Sequence, residues 1–81
     1  MKLIKETLID TANTWDREVL QVARAVREIL NLRMEIDREE GCVDLYGPGP
    51  HMVITIYWNG PYCAKAIWYD EEGNEGEYRW E

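Results

Sequence analysis

An 81-residue chain has room for one domain, residues 1–81, because two half-chains of this size would each bury too little apolar surface. Apolar residues make up 46% of it, which argues against disorder, and its large rings are four Trp and five Tyr with no Phe, so all of them carry a polar handle. The net charge of −7 speaks against direct nucleic-acid binding, which draws most of its affinity from Lys and Arg on phosphates.

The opening Met-Lys-Leu-Ile-Lys-Glu has too short an apolar stretch for a signal peptide, and no small-residue cleavage site follows it. The weakly charged stretch 42–64 contains Asp44 and a Gly-Pro-Gly-Pro break, so no membrane span is expected. A cytoplasmic, soluble protein is the expectation.

From Thr14 to Asn31, Trp15, Val19, Val22, Ala23, Val26, Ile29 and Leu30 recur at steps of three and four, which predicts one apolar face of a helix. Asn13 or Thr14 is the expected N-cap, with Asp16 and Glu18 in the first turn, and Asn31 closes the far end in the left-handed conformation. The period runs back through Ala12, Leu8 and Ile4. A continuous helix from residue 3 would reach about 43 Å, longer than a domain roughly 30 Å across, so a break is expected within Asp10–Thr14. Residues 2–10 then form a short first helix or an edge strand. Arg17, Arg24 and Arg27 read as a solvent-facing stripe.

The period then changes to two. Leu32, Met34 and Ile36 alternate with Arg33, Glu35 and Asp37, the run 38–41 reads as a turn, and Cys42 to Tyr46 alternates again, which predicts a hairpin; a helix extended through Met34 is the rival reading. Gly47-Pro48-Gly49-Pro50 must be loop. Met52 to Trp58 is a strand with apolar atoms on both faces, hence a central one covered by the helix on one side and ring-rich on the other. Asn59-Gly60-Pro61 turns the chain, Ala64 to Tyr69 returns, 71–74 turns it again, and Glu77 to Trp80 supplies a last edge strand. The expected fold class is therefore α+β: an N-terminal helical segment over about 3–31 packed on an antiparallel β-meander of four to five strands over about 32–80.

The residues give little for catalysis. His51 stands alone after a proline, and a Cys-His pair would need Cys42 or Cys63 to approach it in space with a third group to orient the ring. Cys42, His51 and Cys63 lack the close pairing of structural zinc ligands, and the glycines at 47 and 49 lack the spacing and the N–H donors of a phosphate loop. No enzyme, cofactor or metal is expected. Whether Cys42 and Cys63 pair depends on a Cα separation that the sequence does not give.

Charge placement stands out. Residues 1–13 sum to zero and 14–33 to plus one, whereas 34–81 carry eleven carboxylates against Arg38, Lys65 and Arg79. The acids fall in two turn-centred blocks, Glu35 to Asp44 and Asp70 to Glu81, with Tyr46, Trp68, Tyr69, Tyr78 and Trp80 beside them. Acids next to aromatic anchors suit a basic partner surface. The expected partner-binding residues are Glu39, Glu40, Asp44, Tyr69, Asp70, Glu71, Glu72, Glu75, Glu77, Tyr78 and Trp80, gathered by folding into one negative surface. The expected function is a small acidic inhibitor that occupies the basic, nucleic-acid-binding surface of a protein or complex. That is the manner of phage anti-defence, anti-CRISPR and nuclease-immunity proteins, although no motif ties the chain to such a family. The alternative is an interaction or assembly subunit, a homodimer or a complex component, sealed by an aromatic sheet face.

Overall fold

The computed structural model describes residues 3–49 and 51–81, so the expected start of the first helix at Lys2 and the Pro50 of the expected loop lie outside the described residues. Two helices, α1 (Ile4–Thr14) and α2 (Val19–Leu30), precede five strands: β1 (Arg33–Asp37), β2 (Cys42–Tyr46), β3 (Val53–Asn59), β4 (Tyr62–Tyr69) and β5 (Glu75–Arg79). The strands form one antiparallel sheet in the order β1-β2-β3-β4-β5, a meander with β3 at its centre.

Residues 4–10 are helix, and the helical break lies later than the sequence suggests. It falls at Trp15–Glu18 and not within Asp10–Thr14. Asp16 and Arg17 take positive φ of 50° and 62°, and the Arg17 N–H donates back to the Ala12 carbonyl at 2.8 Å, the six-to-one bond that closes a helix C-terminus. An aspartate stands where such a turn ordinarily takes glycine, so no breaker marks it in the sequence. Two expectations fall with it. The N-cap of α2 is Glu18, whose carboxylate accepts from the Gln21 N–H at 2.9 Å, and Trp15 is 45% exposed outside the core stripe. Asn31 does close α2 in the left-handed conformation, and Leu32 N–H reaches the Arg27 carbonyl by the same six-to-one bond.

In α1 the hydroxyls of Thr7 and Thr11, both buried, donate to the carbonyls four residues back, so neither is left unpaired against the core. Leu8 and Ala12 of α1 and Val19, Val22, Ala23 and Val26 of α2 meet Val43, Leu45, Ile54, Ile56, Cys63 and Ala66 from the sheet in one apolar cluster. Strand boundaries shift modestly. β4 starts at Tyr62, two residues before the expected start, because a bulge between the Tyr57 and Trp58 registers inserts Ala64 and brings Cys63 opposite Trp58. β5 begins at Glu75 and ends at Arg79, with Trp80 just beyond it.

Arg17 is no surface arginine. Its Nη1 donates to the Glu81 carbonyl at 2.7 Å and its Nη2 to the Cys63 carbonyl at 2.9 Å, while its own carbonyl accepts from the Cys63 N–H at 2.8 Å. The interhelical turn is thereby pinned to the start of β4, a contact that Val19 N–H to the Pro61 carbonyl continues. Arg24 is exposed, and Arg27 pairs with Glu28 at 3.4 Å.

Candidate protein-binding face

Both helices lie on one side of the sheet, and among the described residues no element covers the other side. Directly paired residues of antiparallel strands share a face. The register therefore lays three rows across the open side. The first row is Arg33, Tyr46, Val53, Tyr69 and Glu75; the second is Glu35, Asp44, Thr55, Ile67 and Glu77; the third is Asp37, Cys42, Tyr57, Lys65 and Arg79. Apolar and aromatic groups occupy the middle strands, and charge occupies the margins.

The charges are ordered. Cations sit at two diagonal corners, Arg33 at one and Arg79 beside Lys65 at the other. Carboxylates follow the opposite diagonal from Asp37 through Glu35 and Asp44 to Glu77 and Glu75, five acids against three bases. Four strand spacings and four residues of rise set the ends of that diagonal about 23 Å apart. The acid turns prolong it. Strands alternate in direction, so the 38–41 turn with Glu39 and Glu40 adjoins Asp37, while the 70–74 turn with Asp70, Glu71 and Glu72 adjoins Glu75 at the far end and far edge.

Local contacts hold this surface in place. Thr55 Oγ1 donates to Asp44 Oδ1 at 2.8 Å, Lys65 Nζ lies 5.0 Å from the centre of the Tyr57 ring, and the Arg33 guanidinium lies 5.9 Å from that of Tyr46. Asp37 Oδ1 accepts from the N–H groups of Glu39 and Glu40, and Asp70 Oδ1 from those of Glu72 and Asn74, so each acidic turn is built on an aspartate. Those donors hold the Asp70 carboxyl below its ordinary value, the Asn74 N–H contributing most. The negative field is felt nearby. The Asp44 charge, more than burial, raises the Tyr46 phenol, and burial followed by the charges of Asp44, Asp37 and Glu40 raises the Cys42 thiol.

Of the residues expected to bind a partner, Asp44, Tyr69, Glu75 and Glu77 share the open face, with Tyr69 44% exposed. Glu39 and Glu40 stand at one corner, and Asp70, Glu71 and Glu72 at the opposite one. The two blocks are not contiguous, and the strand carboxylates join them. Tyr78 and Trp80 turn the other way. Tyr78 pairs with Ala66 on the helix side, lies beside Lys5 at 5.8 Å and meets Trp80 edge-on at 5.2 Å, and Trp80 packs against the core. Glu35, Asp37, Tyr46, Tyr57 and Ile67 complete the face; their signal in the sequence was the period of two, which shows a face only once the register is known.

Cysteine chemistry is muted. Cys42 sits on the open face and Cys63 in the core on the other side, both as free thiols, and burial pushes Cys63 up to about 12 against the opposing pull of Arg17. His51 is exposed in the loop at the far end of β2 from Cys42. Among the described residues no three of His, Cys, Asp and Glu converge as metal ligands, and no helix is long and apolar enough to cross a membrane. A groove lined by Val19, Leu20, Ile36 and Trp58 opens beside the start of α2, and the Glu18 carboxylate at its rim is already engaged as the N-cap. No family model matches the chain, and neither a curated protein nor a solved structure does.

Proposed function

We propose that the protein acts by occupancy and not by catalysis, docking its open sheet face on a basic surface of a protein that handles nucleic acid and so excluding that protein's own ligand. The observation that carries this reading is the diagonal of carboxylates, Asp37 to Glu75, laid across a bed of Tyr46, Val53, Tyr57, Ile67 and Tyr69. A complementary partner carries Lys or Arg at two places about 23 Å apart with apolar groups between them. Acids at the margin speed encounter over roughly the 8 Å Debye length of physiological salt, and the half-buried rings supply the desolvated contact that slows dissociation. Arg17 and Arg27 leave the diagonal alone: Arg27 is held by Glu28 and Arg17 by backbone carbonyls.

The test is affinity capture on the immobilised protein followed by elution with duplex DNA or with salt. Release of captured basic proteins by both, with capture weakened in a Glu35→Lys/Asp44→Lys/Glu75→Lys variant, supports the reading. Capture by that variant equal to wild type removes the face from the site, and partners indifferent to nucleic acid remove the competitive action.

A further inference from the structure

The sheet has two open edges, and β1 is the one whose chemistry is self-complementary. Its outward side has no strand partner among the described residues, and Ile36, on the helix-side face of this edge, is 39% exposed although its alternation is that of a core residue. Exposed edges with uncovered apolar side chains pair with further strands unless charge forbids it. Here charge does not forbid it. We infer that the β1 edge is a homodimer interface, in which two copies pair β1 antiparallel about a two-fold axis through Met34 to form a continuous ten-stranded sheet.

The register follows from the residues. A two-fold axis normal to the sheet keeps the helices of both copies on one side and sets side chains of like face opposite one another. With the axis at Glu35, Glu35 would meet its own copy, and Arg33 would face an Asp37 already engaged by the Glu39 and Glu40 N–H groups. With the axis at Ile36, Glu35 would face Asp37, and with it at Arg33 two arginines would meet. With the axis at Met34, each Arg33 faces a Glu35 of the other copy, so two attractions form and no like charges oppose. Glu35 has no hydrogen-bond or ion-pair partner among the described residues, so nothing is broken to supply it. On the helix-side face, each exposed Ile36 then lies opposite Leu32 of the second copy. The β5 edge offers no such arrangement. Arg79 is already within 3.9 Å of Glu77, and every two-fold register centred on the strand residues 75–79 sets like charges face to face.

The experiment is sedimentation equilibrium on the intact chain at physiological salt, where the mutual repulsion of two copies at −7 is screened beyond about 8 Å. Wild type is expected to dimerise between micromolar and sub-millimolar concentration. Arg33→Glu and Glu35→Arg each turn two attractions into two repulsions and are expected to raise the dimer Kd about tenfold or more. The double swap Arg33→Glu/Glu35→Arg restores opposite charges in the same register and should recover dimerisation, and circular dichroism checks that each variant is folded. A wild type that stays monomeric throughout the range overturns the inference. So does a dimer that the single swaps leave unchanged, or a double swap that binds no tighter than the singles. None of these outcomes depends on the partner of the open face.

Discussion

The two sides of the sheet are built from the same three central strands yet do opposite work. On the helix side, Val43, Leu45, Ile54, Ile56 and Ala66 lose all contact with water, whereas on the open side their neighbours Asp44, Thr55, Tyr57 and Ile67 stay half-buried under nothing but each other. A face that serves only solubility has no need of Val53, Ile67 and three tyrosines in one patch, and a face meant for a core would not carry five carboxylates. The difference teaches that stability is invested on one side, while the other leaves an apolar and aromatic patch uncovered among the described residues.

Matched truncations break this comparison most directly. Ile54→Ala removes a fully buried side chain from the cluster beneath α2 and should cost about 2–5 kcal/mol, read as a shift of the denaturant midpoint at constant slope. Ile67→Ala on the open face should cost about 1 kcal/mol or less while weakening any complex made by that face. Equal losses from the two would mean that the open side is itself a structural core. Gly76 sharpens the point from within a single strand. It lies opposite Trp68, whose indole covers it on the helix side, so any β-carbon there collides with the ring. Gly76→Val should therefore cost about 1–3 kcal/mol by displacing Trp68, although its strand is an edge.

Much of this division is legible in the sequence. The alternation of Met52 to Trp58, with apolar atoms in both phases, announces a central strand, and the run of turns between period-two segments announces the meander. What sequence cannot supply is register. Glu35, Asp44 and Glu77 are far apart in the chain and share one row only because four hairpins set them there. The same blindness affects Tyr78 and Trp80, which adjoin acids in the chain but face the helices in space. The helix break was hidden for another reason: Asp16 adopts the left-handed conformation without the glycine that ordinarily signals it.

That break gives the next two tests. Arg17→Ala deletes both side-chain bonds to the Cys63 and Glu81 carbonyls and should cost about 1–3 kcal/mol, with little recovered by lysine, which cannot reach both acceptors from one planar group. Asp16→Gly should do the reverse. Glycine takes the positive φ without a β-carbon penalty, so stability should rise by up to about 1 kcal/mol, read as a higher denaturant midpoint, and a loss of stability would show that the aspartate side chain holds the turn.

The smallest expected effect lies at the acidic corner beside Glu75. The Asp70 carboxylate gathers the N–H groups of Glu72 and Asn74 and the Asn74 amide, and these donors favour its ionised form. Its folded value lies below its ordinary 3.8, so the stabilisation is fully present above that pH and is lost as pH falls through the lower, folded value. Stability near neutral pH is thus indifferent to proton uptake at this site, and the loss is confined to acid below about pH 4. Asp70→Asn keeps an acceptor without the charge. It should flatten this part of the acid limb and should loosen the turn that presents Glu71 and Glu72, measured as faster amide exchange at Glu72 and Asn74. Unchanged exchange in that variant would mean that the hairpin register alone, and not the carboxylate, shapes the corner.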